Sequence, residues 1–247
     1  MEKADGPRII DENGDFAVLF KPARMHCAPV KGGEGRTLLA WYARSFPPVL
    51  ELVGKKVGEG GLLHRLDFET SGLVLVARNR AALDGLLAQQ SQGGFVKEYR
   101  AVCRNPGPPP DSFPPSPGFP GRPFSIESFF RPFGPGRKQV RPVTDLPKGR
   151  ADVAGDRGRP YRTEITEIAG PAAGFPGHFR CTARLARGFR HQVRCHLAWV
   201  GCPIRGDPLY GDPLTDDPDQ ENPFLALHAV GLFFEDPSSG RSLEYLL

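Results

Sequence analysis

Short apolar runs along this chain predict more strands than helices. Residues 9–20 hold two apolar runs around an Asp-Glu-Asn-Gly-Asp turn, which predicts a β-hairpin that ends at Lys21 and Pro22. Residues 73–77 form a continuous apolar run of the kind found in the middle of a sheet. Residues 95–103 alternate with a period of two, which predicts a further strand.

Three other segments have the spacing of helices. Residues 37–46 place four apolar side chains on one face, and residues 80–90 are rich in alanine and leucine. Residues 191–200 predict a third helix, which Gly201 closes as its C-terminal cap. Further strands are predicted at residues 62–67, 161–168, 178–185, 226–234 and 242–245.

These elements together predict an α+β fold with a mixed, mostly antiparallel central sheet flanked by helices and loops. Proline and glycine concentrate in residues 105–136, where Pro-Pro runs are incompatible with a helix or a central strand. We expect a surface loop or a partly disordered insertion there. The alternative is a proline-rich ligand for a partner domain, but no clean spaced motif supports it.

Composition adds a mild basic bias. The 247 residues carry a net charge of +4, which suits a polyanionic partner without requiring one. The N-terminus has no apolar signal segment, and no stretch approaches the ~18 apolar residues of a membrane span, so we expect a cytoplasmic protein. The cysteine count is odd, with no zinc-type spacing, which favours free thiols in a reducing compartment. The five are Cys27, Cys103, Cys181, Cys195 and Cys202.

The most informative segment is residues 64–72, with the sequence HRLDFETSG. Arg65 and Asp67 lie two apart on a predicted strand, so their side chains should leave by one face. Asp67 stands where the strand meets a turn, with rigid support behind it and open space ahead, which suits a catalytic carboxylate. From these residues alone, an Arg-Asp surface pair beside a tight turn is the alternative.

The same segment resembles the His-Arg-Leu-Asp-x-x-Thr-Ser-Gly signature of the RluA-like family of RNA pseudouridine synthases. Further segments resemble the motifs of that family in the same order. They are residues 15–23 (DFAVLFKPA), 97–99 (KEY), 158–163 (GRPYRT), 191–197 (HQVRCHL), 206–211 (GDPLYG) and 227–229 (LHA). The resemblance covers nearly the whole chain outside residues 105–136. It implies the pseudouridine synthase fold, with residues 1–247 as a single catalytic domain and no separate N-terminal RNA-binding module.

The resemblance implies that the protein isomerises uridines of ribosomal or transfer RNA to pseudouridine. This reaction breaks the glycosidic bond and rejoins uracil to the ribose through carbon 5, so it needs no cofactor and no metal. Asp67 would be the essential carboxylate, acting either as a nucleophile or as a base towards the sugar. Arg194 would pair with this carboxylate, and Tyr99 would stack on the base and help to remove the carbon 5 proton.

RNA is the partner that the resemblance implies, and we expect a monomer. A target uridine must leave its stack before it reacts, and Arg65 would fill the gap. The alternative for Arg65 is a phosphate contact or an internal salt bridge. Other arginines would follow the RNA backbone, namely Arg180, Arg184, Arg187, Arg190 and Arg205. The matched motifs supply further candidates for RNA or substrate contact, namely His64, Thr70, Lys21, Lys97, Arg190, His191 and Gln192.

Several histidines invite a metal hypothesis, but their spacing is not that of a zinc site, and we expect structural hydrogen-bonding roles. They are His64, His191, His196 and His228. The chain also departs from the family pattern at two positions. Phe189 stands where the family has an arginine, with Arg190 one place later, and Arg24 replaces a glycine. These departures concern phosphate or loop contacts rather than the predicted pair of Asp67 and Arg194.

Two other functions are compatible with parts of the sequence. A catalytically silent RNA-binding or RNA-folding protein could use the same scaffold, although Asp67, Tyr99 and Arg194 are all present. A hydrolase with two carboxylates would need a second acid, and Glu69 is the nearest in sequence.

Overall fold

The computed structural model describes residues 6–30, 36–54, 56–145, 153–154, 158–211 and 224–247. The chain divides into two compact units. Unit 1 comprises Met1–Lys97 with His228–Leu247, and unit 2 comprises Glu98–Leu227. The organisation as a single catalytic domain stays a prediction.

The described residues form an α+β fold, as the sequence predicts. The helices are α1 (Leu38–Tyr42), α2 (Arg80–Gln92) and α3 (Gln192–Trp199), with short 3₁₀ helices at Pro47–Leu50 and Pro135–Arg137. The strands are β1 (Arg8–Glu12), β2 (Phe16–Lys21), β3 (Ser71–Ala77), β4 (Val96–Arg104), β5 (Phe124–Phe133), β6 (Gln139–Val143), β7 (Tyr161–Pro171), β8 (His178–Leu185), β9 (Leu227–Glu235) and β10 (Ser242–Leu246).

Unit 1 is built on the strand order β1-β2-β3-β9, with β10 pairing β9. All its pairings are antiparallel except the parallel one between β3 and β9. Every residue of β3 is buried, as its continuous apolar run predicts. The apolar face of α2 packs with the strands in a core that includes Phe16, Leu75, Leu83 and Phe234.

Unit 2 has the strand order β4-β8-β7-β5-β6. The pairings of β7 with β8, of β5 with β7 and of β5 with β6 are antiparallel. All eight residues of α3 are buried, including the charged side chain of Arg194. Gly201 follows the helix with a φ of +81°, a left-handed conformation that glycine adopts without strain, which confirms the predicted helix end.

Three predicted elements are corrected by the structure. Residues 62–67 are not a strand, because only Leu62 pairs, through an isolated bridge to Val76. The first helix covers only Leu38–Tyr42, and a 3₁₀ helix that starts at Pro47 follows it. The second half of residues 105–136 is strand β5 rather than loop, with Phe130 fully buried. Because proline is frequent in and after this segment, the sequence pattern predicted neither β5 nor β6.

The glycines of residues 32–35 predict a loop before the first helix, and this segment lies outside the described residues. No helix among the described residues is both long enough and apolar enough to span a membrane.

Candidate active site

Asp67 lies in unit 1 on an irregular segment that leads into strand β3. Its side chain is half-buried, and the N–H of Thr70 donates to its backbone carbonyl at 3.2 Å. This hydrogen bond closes a four-residue turn whose two central positions are Phe68 and Glu69. Asp67 is therefore held by a turn rather than at the end of a strand, which corrects the predicted location.

The glycine of the signature joins this turn to the sheet. Gly72 has a φ of +128°, and a Cβ atom there would lie 2.1 Å from the carbonyl oxygen of Ala229. Ser71 and Gly72 pair in parallel with His228 and Ala229, and the Ser71 hydroxyl lies 2.7 Å from Nδ1 of His228. Only glycine allows this close approach, so the turn that carries Asp67 is fixed on β9.

Lys21 anchors the same turn from the other side. The residue is fully buried, and its Nζ donates to the backbone carbonyls of Pro22 (2.9 Å), Met25 (2.8 Å) and Phe68 (3.4 Å). Burial lowers the pKa of this amine to about 8. The structure thus places Lys21 inside unit 1, with backbone partners, rather than on a surface where RNA phosphates could reach it.

Cys27 gives the segment before Asp67 a second attachment that the sequence did not indicate. Its Sγ accepts from the N–H of Leu66 at 3.2 Å and lies 3.5 Å from the carbonyl oxygen of the same residue. Burial raises the pKa of this thiol, so it stays protonated and can donate to that carbonyl. The only sequence signal for this contact is the position of Cys27, a small polarisable residue, shortly after Lys21 and Pro22.

The other candidates of the signature have different environments. Arg65 is about half exposed, with 49% of its side chain accessible, and Nη1 forms an ion pair with Glu59 at 3.2 Å. Nε2 of His64 accepts from the N–H of Leu75, which gives this histidine a structural hydrogen bond. Thr70 is buried, and its hydroxyl has no hydrogen-bond partner within the described part of the chain.

Arg194 lies in unit 2 in a fully buried ion pair with Asp207. Nε donates to Oδ2 and Nη2 donates to Oδ1, each at 2.8 Å, in the bidentate geometry of strong Arg-carboxylate pairs. Oδ1 also accepts from the N–H groups of Leu209 and Tyr210. Asp207 thereby fixes the guanidinium and the loop after α3. Asp207 belongs to the GDPLYG motif, but the motif alone does not reveal this role.

The pairing of Arg194 with Asp67 stays a prediction, as does the role of Tyr99. Asp67 belongs to unit 1, whereas Tyr99 and Arg194 belong to unit 2. Tyr99 is buried on β4. Lys97, on the unit 1 end of the same strand, is buried with its ammonium 5.1 Å from the ring centroid of Phe95.

The start of α3 is held by its own polar side chains. Gln192 is buried, and its amide donates to the Arg162 carbonyl at 2.9 Å and to the Thr163 hydroxyl at 3.1 Å. His191, which precedes the helix with a φ of +56°, has its Nδ1 3.2 Å from the Tyr210 hydroxyl. Both residues therefore orient the helix that carries Arg194.

Phe189 and Arg190, which depart from the family pattern, both have contacts within unit 2. Phe189 stacks on Phe130 with a centroid distance of 5.2 Å and an interplanar angle of 5°, so it belongs to the apolar cluster around α3. Arg190 is exposed, and its Nη2 donates to the carbonyls of Arg137 and Gln139. Arg205 was predicted to follow the RNA backbone. The structure instead buries it, with its guanidinium 4.2 Å from the ring centroid of Phe175.

His196 is fully buried between two hydroxyl groups. Its Nε2 lies 2.9 Å from the Ser128 hydroxyl, and its Nδ1 lies 2.7 Å from the Thr163 hydroxyl. Burial lowers the pKa of this imidazole to about 3, so it is neutral at physiological pH. Across the described ranges, no three histidine, cysteine or acidic side chains group in a way that could hold a metal ion.

The known proteins that resemble this chain are described as pseudouridine or pseudouridylate synthases. The family model described as RNA pseudouridylate synthase matches residues 15–199. Ribosomal large subunit pseudouridine synthase D of Haemophilus ducreyi is 26% identical over 246 residues, which cover 96% of this chain and 65% of that protein. The protein of the same name from Zymomonas mobilis is 30% identical over 241 residues, with 96% and 67% covered. This chain thus spans about two thirds of the length of these curated relatives.

The fold also matches a solved structure. The structure titled Human RNA Pseudouridylate Synthase Domain Containing 1 aligns with a TM-score of 0.69 at 21% identity and covers 100% of this chain and 85% of its own. A second human structure, RNA Pseudouridylate Synthase Domain Containing 4, aligns with a TM-score of 0.63 at 18% identity, covering 97% of this chain and 87% of its own. At these identities the likeness establishes the fold alone.

Proposed function

Because the chain belongs to the RNA pseudouridylate synthase family, we propose that it isomerises uridine to pseudouridine in RNA through Asp67. The observation that carries this proposal is the HRLDFETSG segment, which keeps the complete signature. Its aspartate lies on a turn held by Gly72, Lys21 and the Thr70 amide. A carboxylate fixed in this way is organised before the substrate arrives, which is what catalysis by a single group requires.

The reaction rearranges atoms within one nucleotide. The bond between N1 and C1′ breaks, a bond between C5 and C1′ forms, C5 loses a proton and N1 gains one. The carboxylate of Asp67 can serve as a nucleophile towards C1′ or as a base towards C2′, and either role needs an ionised aspartate. The balance of atoms is complete without an added oxidant, reductant or group donor.

Arg194 and Tyr99 have the supporting roles in this proposal. Arg194 is oriented by the bidentate contact with Asp207. We assign it to keep the catalytic carboxylate ionised. Tyr99 would stack on the uracil and help to remove the carbon 5 proton, and Arg65 would replace the flipped base or contact a phosphate.

Large-subunit ribosomal RNA is the substrate class that the relatives suggest. The two bacterial relatives are named as large-subunit synthases, whereas none of the relatives described above is named for transfer RNA. We further propose that the protein acts as a monomer in the cytoplasm without a metal. Sedimentation velocity would test the monomer independently of activity.

Tritium release tests the proposed activity. Large-subunit RNA from cells that lack the enzyme, labelled at carbon 5 of uracil, should lose tritium with the wild type but not with Asp67→Asn. This variant keeps the shape of the side chain and removes only its charge. Asp84→Asn is the matched control, because Asp84 is an exposed aspartate of α2 in an ion pair with Arg80. Full release by Asp67→Asn, or none by the folded wild type, would contradict the proposal.

A further inference from the structure

Phe68 has an environment that neither turn chemistry nor core packing explains. It occupies a central position of the turn that starts at Asp67, where small and polar residues are usual. It does not reach the core either, since it remains 39% exposed. An exposed phenylalanine directly beside the proposed catalytic carboxylate therefore requires another explanation.

A second ring lies against it. His26 and Phe68 have a centroid distance of 4.7 Å with an interplanar angle of 39°, and both residues belong to unit 1. The segment of His26 is fixed by its own hydrogen bonds, because the His26 carbonyl accepts from the N–H of Leu38 at 2.9 Å. The two rings form a pair, which we call the aromatic platform.

The backbone under the aromatic platform is held rigidly. Lys21 donates to the carbonyls of both Met25 and Phe68, which precede His26 and follow Asp67 respectively. Cys27 follows His26 by one residue, Leu66 precedes Phe68 by two, and these two residues exchange the contacts described above. The platform is thus built on the same two backbone segments that hold the turn of Asp67.

We propose that the aromatic platform stacks with the nucleobase of a nucleotide adjacent to the target uridine. This inference rests on the proposed function and adds a specificity-determining residue to it. Phe68 follows Asp67 directly in the turn, so a base that contacts its ring would belong to a nucleotide close to the uridine on which Asp67 acts. Aromatic rings are the usual receptors for unstacked bases in RNA-binding proteins.

The chemistry of the platform favours a base over a phosphate or a sugar. Phe68 offers a neutral aromatic face, and stacking on such a face tolerates all four bases while it orders the strand. Arg65 and Phe68 stand on either side of Asp67 in the sequence. Arg65 supplies a positive charge, and Phe68 supplies a ring. A strand that approaches the carboxylate would therefore meet a cation before it and a stacking surface after it.

The experiment combines turnover with a binding signal that does not depend on turnover. Tritium release from large-subunit RNA gives KM and kcat, and a short single-stranded RNA with 2-aminopurine next to a uridine reports stacking through fluorescence quenching. Phe68→Ala should raise KM about 5- to 150-fold, the range that one base–aromatic stack provides, and should abolish the quenching. Phe68→Trp should keep both within a few-fold of wild type.

Phe68→Leu separates stacking from simple burial, because it keeps an apolar side chain without a ring. It should behave like Phe68→Ala, and thermal unfolding of each variant verifies that the turn still folds. Leu50→Ala, at an apolar position of unit 1 that is 56% exposed, is the control and should change neither readout.

The outcomes distinguish this inference from the proposed activity. If the wild type releases no tritium but quenches 2-aminopurine in a Phe68-dependent way, the activity fails and the platform stands. If the wild type is active while Phe68→Ala and Phe68→Leu keep its KM and quenching, the platform is overturned and the exposed ring serves another contact, such as a protein partner.

Discussion

Lys21 illustrates how one side chain can serve a site that it does not enter. Its ammonium is fully buried, yet it donates to three backbone carbonyls, of which one belongs to Phe68 and one to Met25, the residue before His26. Burial of a charged amine is costly, and the lowered pKa of about 8 measures that cost. The hydrogen bonds to the three carbonyls offset part of this cost.

The stability contribution of Lys21 should therefore depend on pH. In the folded chain its pKa is about 8, and in the unfolded chain it returns to the ordinary 10.5. Between these values the unfolded state binds more protons, so the stability of the wild type relative to Lys21→Met should rise with pH. We expect a rise of about 1–3 kcal/mol across this window, measured by urea unfolding of both proteins.

The comparison with Lys21→Met cancels the titration of the exposed lysines, which both proteins share. A difference in unfolding free energy that stays constant from pH 8 to 10.5 would mean that the amine is not desolvated. Lys56→Met is a suitable control for the loss of one lysine charge, since Lys56 is an exposed lysine of the same unit.

The elements show which parts of the molecule the sequence could predict. The β1-β2 hairpin, β3, α2 and β8 follow from local patterns, because their turns, apolar runs and caps lie within a few residues of each other. The signature identified Asp67 for the same reason. The sequence did not predict β5, because the prolines that precede it in residues 105–136 indicate a loop and outweigh the buried alternation of Ile126 and Ser128.

Contacts between distant segments account for the rest. Asp207 was missed because an aspartate in a glycine- and proline-containing loop usually indicates a turn, and nothing local reveals its contact with Arg194. Lys21 was expected to contact RNA or substrate because it belongs to a matched motif. Both residues depend on tertiary partners, which a pattern along one segment cannot identify.

The contact between helix α3 and the loop after it gives an element-scale prediction. Asp207→Asn keeps the size of the side chain but leaves the buried guanidinium of Arg194 without this anion. Loss of one partner of a buried pair should lower the free energy of unfolding by about 3–5 kcal/mol. The matched control is Glu98→Gln, whose partner Arg184 is 44% exposed, so that its loss should cost about 1 kcal/mol or less.

Urea unfolding of both variants measures the two costs. Equal losses would show that burial does not strengthen the Arg194–Asp207 pair. Tritium release by the folded fraction of Asp207→Asn should also fall, because the guanidinium then loses the contact that orients it.

At the scale of the whole molecule, the net charge is +4, so the affinity for RNA should fall as the salt concentration rises. The arginines differ in what they can contribute. Arg205 is buried over Phe175, and Arg184 is paired with Glu98, whereas Arg180 is exposed on β8. We therefore expect Arg180 to make a phosphate contact of its own.

Arg180→Gln should reduce the slope of the logarithm of affinity against the logarithm of salt concentration by about 0.7–0.9, the value of one phosphate contact. Arg80→Gln lowers the net charge by the same unit, but Arg80 is already in an ion pair with Asp84 at 2.8 Å, so its slope should stay that of the wild type. Filter binding of large-subunit RNA over a salt series measures all three slopes. If the two variants reduced the slope equally, the protein would attract RNA through its overall charge, and the position of Arg180 on β8 would be irrelevant to binding.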